Sequence, residues 1–143
     1  MTRSKKIAKS WLAVYETLLA RADKIPLLIE LLRLHEEFSD THRELLGNLT
    51  EVRSSTAGMP LPSKEKLEAE NRLTKTLKLV LAGIAEARAL KNNNQLTKLL
   101  DEFEQLDKKI RWVIGTYNGE IREHRILLFC LELNKYKIFE FSP

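Results

Sequence analysis

A single cysteine, Cys130, is the whole thiol content of the chain, so neither an intramolecular disulfide nor a multi-cysteine zinc site can hold the fold together. That cysteine sits in Leu-Leu-Phe-Cys-Leu, an apolar setting that disfavours the thiolate and argues against a nucleophile. Turn formers are scarce as well: 5 glycines and 4 prolines in 143 residues point to few, long elements. The scattered glycines form no Walker, dinucleotide-type or Gly-x-Ser-x-Gly loop, which leaves little means of cradling a phosphate or presenting a serine nucleophile. Long apolar runs are missing too. The longest, residues 79–85 and 126–131, fall far below the roughly 20 residues that span a bilayer. Neither sign of charge dominates: 24 Lys and Arg against 20 Asp and Glu leave +4, short of the basic excess of a dedicated nucleic-acid binder.

What the sequence does have is helical periodicity. Trp11, Tyr15, Leu18, Ala22, Ile25, Ile29 and Leu32, then Phe38, Leu45, Leu49 and Val52, recur mostly in steps of three and four, the stripe of one long helix. Pro26 interrupts it, and because proline removes the bond to the Ala22 carbonyl and clashes there, a kink or a break into two helices is expected. Residues 54–63 lose the period and cluster Ser, Gly and Pro, a first connection. Ser63 is placed to cap a second helix, with Glu65 in its first turn and Leu67, Leu73, Leu77, Val80, Ile84 and Ala87 at helical spacing to about residue 90. Lys91 and the asparagines 92–94 make a short second connection. Leu96, Leu99, Phe103, Leu106, Ile110, Val113, Tyr117, Ile121, His124, Leu128 and Leu131 then predict a long third helix. Residues 132–143 are aromatic without a stripe, either a docked tail or a disordered one. Long amphipathic helices on short connections pack antiparallel. The expectation is therefore an all-α single domain over 1–143, with its core at about 8–131: an up-and-down bundle of three long helices, or four if the first breaks at Pro26.

With the helices placed, Arg21-Ala-Asp-Lys-Ile25-Pro26-Leu-Leu-Ile-Glu30, Thr50-Glu51-Val-Arg53 and the stretch from Asn93 through Arg111 to Tyr117-Asn118 resemble, in order and spacing, the LemA family. The resemblance covers roughly residues 10–125. It implies an antiparallel helical bundle, a bacterial protein commonly tethered by one N-terminal membrane-spanning segment, and no established catalytic activity. Arg21, Ile25, Pro26, Glu51, Arg53, Tyr117 and Asn118 are then architectural positions, with Arg21 expected to pair with Glu51 or another acid, or to reach carbonyls freed at Pro26. Asn118 is expected to bond a neighbouring helix. Three departures stand out. These residues contain no membrane segment, Gly115 and Gly119 flank the Tyr-Asn pair, and His124-Arg125 stands where a second Tyr-Asn is usual. The glycines, each costing about 1 kcal/mol inside a helix, mark either a close helix approach or a local weakness.

Other candidate sites are weaker. His35-Glu-Glu-Phe is no zincin, because Ser39 stands where the second histidine belongs, and Leu32, Ser39 and Ile121 defeat the Glu-x-x-His spacing of di-iron bundles. His35, His42 and His124 share core-facing stripes and could meet as a metal or ligand site between helices. Charge is uneven: residues 1–25 carry 6 basic against 2 acidic side chains, residues 26–62 carry 3 against 6, and residues 63–93 carry 7 against 4. Arg3, Lys5, Lys6 and Lys9 beside Trp11 could meet an anionic membrane surface. A nucleic-acid role has no stacking platform or helix-turn-helix to support it. The expected function is a non-enzymatic scaffold or interaction module without a cofactor, its partner protein not named by the sequence.

Overall fold

The computed structural model describes residues 3–124 and 135–141. Cys130, Leu128 and Leu131, and with them the predicted end of the third helix, lie outside the described residues. Within them the regular elements are helical: α1 Arg3–Arg33, α2 Glu36–Thr41, α3 Arg43–Ser55, α4 Lys64–Glu86 and α5 Asn94–Glu123, with a 3-10 turn at Arg88–Leu90 between the last two. Ser63 caps α4 as expected, its side chain accepting from Lys66 N, and Asn93 caps α5 by accepting from Leu96 N.

The break in the first stripe falls eight residues after Pro26, not at it. α1 runs without interruption through Pro26, whose ring lies on the exposed face. The carbonyl that the proline leaves without a donor is the one on Ala22, and Arg53 Nε of α3 donates to it at 2.9 Å. A side chain from a neighbouring helix thus stands in for the lost backbone bond. The chain turns instead at His35 (φ −100°, ψ 91°) and again at His42 (φ −113°, ψ 24°), with α2 as a six-residue corner between them.

Contacts along the helices give their directions. Arg53 of α3 returns to Ala22 of α1, and Lys66 Nζ of α4 reaches Thr56 O at the end of α3 at 3.1 Å. The α4 backbone passes His42 so closely that a Cβ on Gly83 would lie 3.1 Å from its Nε2. Trp11 meets Tyr117 with ring centroids 5.2 Å apart, while Lys24 pairs with Glu102 at 2.9 Å. α1 and α4 therefore run one way and α3 and α5 the other, which is the four-rod form of the bundle.

Two apolar clusters fill it. Ile25, Leu28 and Leu32 gather Leu49, Leu73, Val80 and Leu96 in one; Ile7, Trp11, Val14 and Leu18 gather Ile110, Tyr117 and Ile121 in the other. The segment 135–141 docks onto the second cluster. Phe139 is buried edge-on against Trp11 at 5.3 Å, and Asn118 brackets its backbone, accepting from Phe139 N at 2.8 Å and donating to Phe139 O at 3.0 Å. Asn118 thus binds the tail rather than a helix.

Arg53→Met should cost about 1–2 kcal/mol in chemical denaturation, since it leaves the Ala22 carbonyl without its partner. In a Pro26→Ala background, where the backbone N–H is restored, the same substitution should cost much less. Equal costs in both backgrounds would contradict the substitution of Arg53 for the missing donor.

Candidate functional site

Between the two apolar clusters lies a layer of buried polar side chains. Glu70 on α4 accepts from Arg21 Nη2 at 3.1 Å through Oε1 and from Lys66 Nζ at 2.7 Å through Oε2. Arg21 on α1 also donates through Nη1 to Thr74 Oγ1 at 2.7 Å, and Thr74 in turn donates to the Glu70 carbonyl at 2.9 Å. Lys66 completes its shell with Thr56 O and the face of Tyr15, 5.4 Å away. Glu70 is 1% exposed, Arg21 and Lys66 4% each. Burial pulls the Arg21 guanidinium below its ordinary value, and the charge of Glu70 and their hydrogen bond work against that. One donor is left over: Arg21 Nε is buried without a partner.

The rods are unevenly spaced around this layer. α1 packs closely on α5 and α3 on α4, whereas α4 and α5, consecutive in the chain, stand apart. On the Tyr117 side of Arg21 the tail occupies the slot between them. Tyr117 donates to Lys137 O at 2.6 Å, and the Phe141 ring lies 5.6 Å from the Arg21 guanidinium carbon. On the other side the slot is an open groove of about 510 Å³, walled by Leu77, Leu81 and Ile84 of α4 and by Leu100 and Phe103 of α5, with Arg21 at its end. Lys78, Lys91, Glu104 and Asp107 also line it.

The three histidines do not meet. Asn93 Nδ2 donates to His35 Nε2 at 3.0 Å, at the start of α5, while His124 caps the end of the same helix. The 30 residues of α5 put about 45 Å between those ends. His42 stacks on Phe38 at 4.1 Å, with its Nδ1 3.0 Å from the Phe38 carbonyl. It does line one corner cleft with His35, Glu86 and Arg88. His124 instead lies 3.3 Å from Glu120 and 3.9 Å from Glu123, of which Glu123 is exposed.

Arg21 pairs with Glu70 and not with Glu51, which is exposed. The role of reaching a carbonyl freed by Pro26 falls to Arg53. Ile25 is fully buried in the first cluster. Gly115 and Gly119 mark no close approach, because a Cβ on either would meet nothing within 4 Å. Lys5, Lys6 and Lys9 are exposed at the head of α1; Trp11, which follows them, is buried as its place on the apolar stripe predicts and donates to Pro60 O at 2.6 Å. Lys66, Glu70 and Thr74 escaped the sequence reading. Their signal was the gap between Leu67 and Leu73 in the second helix's stripe, where a polar residue stands at a core position.

Among known proteins, the model described as the LemA family matches residues 10–128. No curated protein matches the chain.

Burial raises the Tyr117 phenol well above the ordinary range near 10, with the nearby Tyr136 adding to the shift. The folded state thus favours the neutral phenol. This contribution to stability is complete below the unfolded value and is lost as pH rises toward the folded one. Subtracting the 295 nm absorbance titration of Tyr117→Phe from that of the parent should remove only its most alkaline part. Removal of a component centred near pH 10 would contradict the burial of this hydroxyl under the tail.

Proposed function

The chain belongs to the LemA family, and from that premise we propose that it acts as a non-enzymatic helical scaffold whose binding site is the groove between α4 and α5. The observation that carries this reading is the slot itself. Consecutive amphipathic helices on a short connection ordinarily close on each other and bury their facing side chains. Here Leu81 and Leu100 are only half-buried and, with the buried Leu77, Ile84 and Phe103 behind them, line an opening that contact between the two helices would close. A groove of about 510 Å³ with apolar walls and polar groups gathered at one end and the rim has the size and make-up of a ligand site.

Attachment to a bacterial membrane, which the resemblance implies, belongs to the same proposal. No helix among the described residues is long and apolar enough to cross one. With Trp11 buried, contact through Arg3, Lys5, Lys6 and Lys9 would be electrostatic, each charge contributing about 1 kcal/mol near an anionic surface.

A photoreactive benzoylphenylalanine at position 78, on the groove rim, compared with one at the neighbouring exposed position 79 off the groove, tests the reading in native cells. A discrete adduct of defined mass is expected at 78 and not at 79. Identical adducts at both positions, or none at 78, would overturn it.

A further inference from the structure

Three features of the groove converge on one class of ligand, and we propose that it takes an unbranched apolar chain ending in a carboxylate, with the carboxylate paired to the Arg21 guanidinium. The inference rests on the groove being a binding site and adds what it binds. The first feature is shape. From Thr74 to Ala85 the α4 wall rises about 17 Å; Leu77, Leu81 and Ile84 along it offer no hydrogen bond, and the polar side chains that also line the groove along this length include Lys78 on this wall and Thr97 on α5. A peptide laid there would leave most of its backbone N–H and C=O groups facing leucine and phenylalanine without partners. An alkyl chain has no such groups.

The second feature is the unsatisfied donor. Arg21 is 4% exposed and lines the end of the groove, its two terminal nitrogens are engaged by Thr74 and Glu70, and its Nε–H is buried with no acceptor. Buried N–H groups of this kind are ordinarily satisfied, and a carboxylate is the strongest acceptor for a guanidinium.

The third is charge. Two buried cations, Arg21 and Lys66, share the carboxylate of Glu70, and Asp107 is the further acid close enough to act on Arg21. The acids that also line the groove already have cations beside them: Asp107 lies 3.2 Å from Arg111, and Glu104 3.8 Å from Lys108. Lys78 and Lys91 add positive charge at the rim. An incoming carboxylate therefore meets a net positive lining, and an ammonium head would meet like charge.

Isothermal calorimetry of the purified full chain with dodecanoate, dodecanol and dodecylammonium, each below its aggregation threshold, tests the assignment. Dodecanoate should bind one per chain and at least tenfold tighter than dodecanol, with dodecylammonium weakest. Leu81→Trp fills the groove away from Arg21, so it should abolish dodecanoate binding while the helical circular dichroism is kept. Arg21→Lys should narrow the gap between dodecanoate and dodecanol. Equal affinity for acid and alcohol, no dodecanoate binding, or binding unchanged in folded Leu81→Trp would each overturn the proposal. A photo-adduct at position 78 without dodecanoate binding would sink this inference alone and leave the groove as the binding site.

Discussion

The carboxylate of Glu70, buried between the guanidinium of Arg21 and the ammonium of Lys66, is the interaction on which the rest of the arrangement depends. Removing one member of such a cluster strands charge in a low-dielectric interior at a cost of about 3–5 kcal/mol, whereas replacing the whole cluster by apolar groups is often neutral or stabilising. Its value to this fold is therefore positional. Through Arg21 it ties α4 to α1, and through Lys66 it ties α4 to the Thr56 carbonyl at the end of α3. With α4 drawn to that side and α5 packed on α1, the space between α4 and α5 stays open.

What fills that space differs on the two sides of Arg21. Toward Tyr117 and Asn118 it holds the 135–141 segment, gripped by its backbone through Asn118 and by the burial of Phe139. Toward Phe103 the walls remain apolar and open. The same side chain borders both, with Phe141 over its guanidinium on one side and the groove end lined by it on the other. A helical bundle usually spends its facing apolar surface on itself. One that keeps a slot between consecutive helices has that surface available for a ligand.

Much of this fold was legible because helix-packing surfaces announce themselves by period. Leu96, Leu99, Phe103, Ile110, Val113, Tyr117 and Ile121 are buried as their spacing predicts, and Ser63 caps α4. The break in the first stripe falls away from Pro26 because the proline's local effect has a tertiary remedy: Arg53 is 31 residues from Ala22, and no local pattern shows that it will supply the donor. Arg21 stands out in the sequence but its partners do not, since Glu70, Lys66 and Thr74 are polar residues at buried positions of an otherwise apolar stripe. The docked tail has no period at all. Asn118 holds it through main-chain groups, which every sequence possesses. The histidines show the reverse case: His35 and His42 share one corner cleft, while His124 lies at the far end of α5, so spacing on separate stripes does not bring the three together.

The central claim is that the buried ionic layer, and not the packing of the rods alone, keeps α4 away from α5. Its most direct test is the spin-label distance between positions 78 and 104, which face each other across the groove rim, in a Cys130→Ser chain with and without Arg21→Met, Lys66→Met and Glu70→Leu together. The apolar variant should stay folded, and the distance should shorten as the two walls close on each other. A folded variant with an unchanged distance would contradict the account.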